Sequence, residues 1–170
     1  AIRKLIKING FYFIRSVVRQ MSESEANQFY IQHKGFNHLI FIEISFNRFL
    51  QTVDKFFFWR LVSFMSSGVI SAHIIARNNA INEWRKMMGS TKVYKTRHEE
   101  LNSIRGRYGL TDTRNATHGS DSIESAIREI AFFFPDFDSN LWLKEEENHF
   151  RDGHNVQFFP NEWLHKLKTQ

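Results

Sequence analysis

Apolar residues recur at helical spacing over residues 1–8 (AIRKLIKI) with basic ones between them, and Asn9-Gly10 supplies a left-handed stop, so the chain opens in the last turns of a helix. A strand follows over 11–21 (FYFIRSVVRQM), which is rich in aromatic and β-branched residues. Ser22 with Glu25 three positions on forms a capping box for a helix running toward His33. Residues 56–66 (FFFWRLVSFMS) read as helix, Gly68 breaks it, and 69–77 (VISAHIIAR) read as a buried strand. Asn78 or Asn79 then caps a short helix over 80–88.

Over 89–102 the apolar period fails and charges crowd in, which predicts a loop long enough to be functional. Residues 111–118 (TDTRNATH) are polar and predicted to be partly extended. Residues 122–134 (SIESAIREIAFFF) predict an amphipathic helix with Ile123, Ala126, Ile127, Ile130, Ala131 and Phe134 on one face and a stop at Pro135. The tail after it, acidic around 144–147 and basic at its end, is predicted to wrap over the domain as an extension. The order helix, strand, helix, helix, strand, helix, loop, strand, helix fits an α+β fold with helices packed on an antiparallel sheet. A ferredoxin-like split βαβ is its natural form, although that pattern begins with a strand and this chain does not.

Composition narrows the function classes. The chain has 170 residues, a formal net charge of +5, no cysteine, two prolines and eighteen phenylalanines, which fits one domain with a real core. The absence of cysteine removes disulfides, thiolate catalysis and sulfur-ligated zinc. No apolar run reaches the ~20 residues of a spanning helix, and no secretory signal is recognisable, so the expectation is a soluble protein. The positive balance points to polyanions: nucleic acid, phosphorylated metabolites or an acidic membrane surface. The first residue is Ala1 rather than Met, which reads as a fragment or an imperfect gene model.

Reactive residues are densest in Asn115-Ala116-Thr117-His118-Gly119-Ser120-Asp121-Ser122, followed eleven positions after His118 by Glu129. A histidine before a Gly-Ser-Asp turn at a helix start suits phosphate chemistry, because N-terminal amides and hydroxyls hold anionic oxygens. A carboxylate on the following helix can reach the imidazole, fix its tautomer and make the other ring nitrogen the nucleophile. Arg85, Thr91 and Arg105, in or beside the 89–102 segment, are candidates to converge on phosphates, arginine through bidentate contact. His33, His38, His73, His98, His149, His154 and His165 are scattered and read as packed or solvated rather than metal-bound.

NATHGSDS with SIRG before it, Phe29-Tyr30 with His33, FFxxLVxFMxSG over 57–68 and WRKMMGST over 84–91 together resemble the nucleoside diphosphate kinase family. The run SIRGRYGLTDTRNATHGSDSIESAIREIAFFFPDF, with the acidic tail after it, is similar to a divergent branch of that family. The resemblance implies ping-pong transfer of the γ-phosphoryl of a nucleoside triphosphate, ATP, to nucleoside diphosphates, supporting GTP, UTP and CTP synthesis. It implies His118 as the residue phosphorylated, Glu129 as its orienting carboxylate and Ser120 as the hydroxyl beside it. Tyr30 would line the site, Phe57 would stack on the base with Leu61 beside it, Arg85, Thr91 and Arg105 would hold phosphates, and Asn115 the ribose. Mg2+ would arrive on the nucleotide's phosphate oxygens, with no dedicated metal residues. The family's hexamers imply a homo-oligomer; cytoplasm and mitochondrion are both expected compartments, and neither a membrane nor a nucleic-acid partner is expected.

Three departures set an alternative beside this. The family's first strand ends in a Lys-Pro-Asp whose lysine contacts the transferred phosphate, and nothing here matches it, so the first strand is expected to be missing. Asp112 stands where typical members place an apolar residue against the base. Residues 36–54 (FNHLIFIEISFNRFLQTVD) separate flanks that are nearly continuous in the family and read as translated intron, or else as an insertion of this lineage. The expected organisation is a kinase-like domain over 1–137 containing that insertion and an extension over 138–170. The alternative function is a nucleotide-binding or interaction module of the same fold with little turnover. A basic nucleic-acid-binding protein is a third reading, prompted by charge alone.

Overall fold

A computed structural model of the chain describes residues 1–34 and 58–168, with side chains over 1–31 and 58–168. The 36–54 insertion, Phe57 and the His33 side chain lie outside the described residues. The chain divides into two units, Ala1–Val17 with Ser71–Gln170, and Val18–Ile70.

The larger unit begins with α1 (Ile2–Ile8), after which the chain turns at Gly10 with φ 76°, a left-handed conformation that suits a residue without Cβ. β1 (Tyr12–Gln20) follows and lies beside β2 (Val69–Ala76) in a two-stranded sheet. Successive strand side chains alternate faces, so Phe13 and Ile14 enter different cores. Phe13 joins Ile6 and Phe11, packed against Ile75, Trp84, Trp163 and Leu164. Ile14 joins Ile74, Phe134 and Phe150, packed against Ile130, Trp142, Val156 and Leu167. With both faces covered, neither side chain keeps more than 3% of its surface in contact with water.

α4 (Ala80–Met88) matches the predicted helix, and Asn79 caps it in a left-handed conformation at φ 54°. The predicted loop over 89–102 instead contains α5 (Val93–Glu99), followed by α6 (Ile104–Tyr108). α5 has no apolar period to announce it. Thr96 anchors it by donating from Oγ1 to Ser90 O at 3.1 Å, and Asp112 Oδ1 accepts from Val93 N–H at 2.9 Å. The expected extended segment over 111–118 is a series of bends. Leu110 and Thr111 N–H both donate to Arg114 O, at 2.8 and 3.3 Å, and Arg114 N–H donates to Thr111 Oγ1 at 3.0 Å, so local turns use the donors a ladder would need.

α7 (Ile123–Phe133) is capped by Ser122 and ends before Pro135. The predicted apolar stripe divides: Ile130 and Phe134 reach the core, while Ile123 and Ile127 are 67% and 54% exposed and the buried residue of the first turns is Ser125. The chain closes with α8 (Ser139–Glu145), α9 (Glu147–Asp152) and an antiparallel hairpin of β3 (Val156–Phe159) and β4 (Leu164–Leu167), which adds side chains to both cores. Helices around short sheets make the chain α+β. Among the described residues no helix is long and apolar enough to cross a membrane.

Two histidines are built into this unit. His165 Nδ1 accepts the Phe13 N–H at 2.9 Å, and His73 Nδ1 shares a 2.8 Å hydrogen bond with Ser16 Oγ. Burial, reinforced by Arg3, pushes the His73 pKa down to about 4, and burial with Lys7 lowers that of His165. The unfolded chain therefore binds more protons than the folded one between about pH 4 and 6.5, and stability falls as pH drops through that window. His73 alone is expected to cost about 2 kcal/mol on going from pH 7.5 to 5. Urea denaturation at the two pH values checks this: His73→Asn, which has no proton to take up, should shrink the difference, and an unchanged difference would remove His73 as its source.

In the smaller unit Ser22 and Glu25 form the predicted capping box at α2 (Glu23–Lys34). The Ser22 N–H donates to Glu25 Oε2 at 2.8 Å and the Glu25 N–H to Ser22 Oγ at 3.2 Å. The Ser22 N–H and the Ser22 hydroxyl, both donating to Glu25 Oε2, hold that carboxyl below its ordinary pKa. A second helix, α3, covers 58–66 of the described residues, and Met21, Ala26, Phe29 and Val62 are buried. Tyr30 packs edge-on against Phe29 and Phe58.

Candidate active site

The helical repeat of α7 places Ser122, Ser125 and Glu129 on one side, three and four positions apart. That side faces the segment carrying His118. Glu129 Oε1 lies 3.0 Å from His118 Nε2, and Glu129 Oε2 accepts from Ser120 Oγ at 2.9 Å. The carboxylate is 13% exposed and the imidazole 39%, so the acid is anchored and the ring reaches solvent. A carboxylate can only accept, which places a proton on Nε2, so that in the neutral ring the lone pair is on Nδ1.

Arg105 comes from the first turn of α6, whose cap Ser103 accepts from Gly106 N–H at 3.0 Å. Its side chain is buried, with one terminal nitrogen donating to Gly89 O at 2.8 Å and the other to Thr117 O at 2.9 Å. It thereby ties the end of α4 to the residue before His118. Burial, then the neighbouring Arg85, lower its pKa from a value so high that the cation persists. Its Nε is buried and has no hydrogen-bond partner among the described residues.

Arg85 lies exposed in the last turn of α4, close enough in charge to act on both Arg105 and Asp121. The Asp121 carboxyl is held below its ordinary pKa by the Ser125 hydroxyl and, further, by Arg85. Thr91 is exposed just before α5. Asn115 donates from Nδ2 to Asp112 O at 3.1 Å, and Ala116 holds a left-handed φ of 71°. Asp112, expected against a base, turns its carboxylate to the start of α5, where Lys92 Nζ adds a 3.3 Å contact to the Val93 bond. Among the described residues no three histidine or acidic side chains converge as a metal cage.

His118, Glu129, Ser120, Arg105 and Arg85 thus belong to one unit, with Thr91 and Asn115 on the same stretch of chain. Tyr30 and Leu61 belong to the other unit, and Phe57 lies outside the described residues. Sequence reasoning placed Trp84 in a motif without giving it a task. Its indole Nε1–H donates to the His118 carbonyl at 3.2 Å, and a Cβ on Gly119 would collide with the indole. No local pattern announces such a contact, because its partners are 34 positions apart.

A nucleophilic nitrogen steadied by a carboxylate, with two arginines nearby, can accept and return a phosphoryl group. Known proteins carry the same scaffold. The family model for nucleoside diphosphate kinase matches residues 42–139. The chain is 44% identical over 161 residues to nucleoside diphosphate kinase 6 of Danio rerio, covering 95% of this chain and 81% of that one. It is 43% identical over 153 residues to the Homo sapiens protein of that name, covering 90% and 72%. The crystal structure of the Aquifex aeolicus nucleoside diphosphate kinase superposes with TM-score 0.63 at 32% identity, over 78% of this chain and 81% of that one. The ferredoxin-like α+β fold is therefore that of these kinases, and the chain belongs to the nucleoside diphosphate kinase family.

Proposed function

We propose that this chain transfers the γ-phosphoryl of a nucleoside triphosphate, ATP, to nucleoside diphosphates through a phosphorylated His118. The observation that carries the reading is the contact of Glu129 with both His118 Nε2 and Ser120 Oγ. With the proton on Nε2, the Nδ1 lone pair attacks the γ-phosphorus of the magnesium–nucleotide complex. The bond to the β,γ-bridging oxygen breaks, the nucleoside diphosphate leaves with that electron pair, and a phosphoramidate remains. A terminal phosphate oxygen of a second diphosphate then attacks, the P–N bond breaks and its electron pair returns to Nδ1. Positioning and charge carry such a transfer. Arg85 and Arg105 supply positive charge beside His118, and Thr91 and Asn115 hold phosphate and ribose; the family resemblance assigns Tyr30 to the lining of the site and Phe57, with Leu61, to the base. By resemblance to the family the chain is taken as a homo-oligomer, with the cytoplasm or the mitochondrion as its compartment.

Incubation with γ-labelled ATP tests it. An acid-labile, base-stable label should appear on the protein, leave as labelled GTP or UTP when GDP or UDP is added, and be absent from His118→Asn. A wild-type chain that binds nucleotide but takes up no label would overturn the reading in favour of a binding module.

A further inference from the structure

We infer that Trp84 is a positioning residue for transfer at His118, holding the backbone that aims the imidazole; this rests on the function proposed above. His118 sits on a stretch without regular secondary structure, two residues after Ala116 at φ 71°, so no helix or ladder fixes its backbone. Two side chains do so instead. Arg105 donates to the Thr117 carbonyl at 2.9 Å, and the Trp84 indole donates to the next carbonyl, that of His118, at 3.2 Å. Glu129 steadies the far end of the ring. The Cα–Cβ direction of His118 is thus set at the backbone, and the tautomer at the side chain.

The indole is a rigid donor. Its ring meets Phe11 edge-on, with centroids 6.4 Å apart and planes at 79°, and Phe11 is 1% exposed within the Ile6–Phe11–Phe13 core. Gly119 lies against the same indole, where a Cβ would clash with Nε1 and Cδ1, so the His118–Gly119 peptide approaches that edge of the ring as closely as only a glycine allows. Trp84 therefore links the sheet core to the reacting residue through a hydrogen bond and a close contact. A shift of about 1 Å in a reacting group costs on the order of 10²-fold in rate, so releasing this peptide acts on transfer more than on folding.

The test removes the indole N–H, once with loss of the bicyclic ring and once with its shape kept. Trp84→Phe removes the donor, and β-(3-benzothienyl)alanine at position 84, a sulfur isostere of the same shape, keeps the packing should the phenylalanine variant fold poorly. Expected are a 10- to 100-fold slower single-turnover labelling by ATP, an unchanged nucleotide dissociation constant, and movement of the His118 ring ¹⁵N signals away from a single Nε2–H tautomer. Labelling within twofold of a wild-type chain that is itself labelled would overturn the proposal. Should the wild type take up no phosphoryl group, the function proposed for His118 falls, and the ring signals still decide the role of Trp84. Unchanged signals in both variants overturn it, and shifted signals support it.

Discussion

Removing residues 154–170 is expected to abolish cooperative folding, or to lower the melting temperature by about 15 °C or more. The hairpin they form is not confined to the surface of one core. Trp163 and Leu164 pack on the Ile6–Phe11–Phe13 cluster, Val156 and Leu167 on the Ile14–Ile74–Phe134–Phe150 cluster, and His165 is the acceptor of the buried Phe13 N–H. Four half-buried apolar side chains at roughly 1–2 kcal/mol each, with about 1 kcal/mol for the lost acceptor, give on the order of 5–9 kcal/mol. That is comparable to the whole stability of an ordinary domain. Cations reinforce the contact, with Lys7 Nζ 3.8 Å from the Phe158 ring centroid and Arg3 5.9 Å from that of Trp163. Circular dichroism melts of the shortened and full chains check the expectation, and melting within 5 °C of each other, against the ~15 °C expected, would show that the cores close without the hairpin.

Arg105→Met is expected to destabilise the chain by about 3 kcal/mol and to abolish labelling of His118. The methionine leaves the carbonyls of Gly89 and Thr117 without the donors that hold them, and the second of these adjoins His118. Arg105→Lys should recover little, because one ammonium cannot span two carbonyls as the planar guanidinium does. Thermal melts and labelling of the three proteins decide the matter. A lysine variant that melts and labels like wild type would show that the fork is dispensable.

Elements were legible in the sequence where a local signal produces them. Ser22 with Glu25, Ser122 and the Asn9-Gly10 stop act on their own neighbours, and α1, α2 and α7 begin or end where those signals stand. The reactive cluster was legible for a related reason: His118, Ser120 and Glu129 lie within twelve positions, and the helical repeat of α7 decides which of its residues can face back. α5 was not legible, because its period is polar and Asp112, from beyond α6, binds its first turn. Nor was the first half of the inward face of α7, where apolar spacing marks Ile123 and Ile127 while Ser125 is the residue buried; Ile130 and Phe134 of the same stripe do reach the core.

The sequence by itself determined the class of fold and the family, and it singled out His118 as the histidine of the polar cluster, since each rests on short-range patterns that survive without neighbours. Only the tertiary structure decided how that histidine is held. Arg105 reaches across from α6, Trp84 from α4, and His165 closes the β1 edge from 152 positions away. A hydrogen bond between distant residues depends on the path of the whole chain, and no local spacing encodes it.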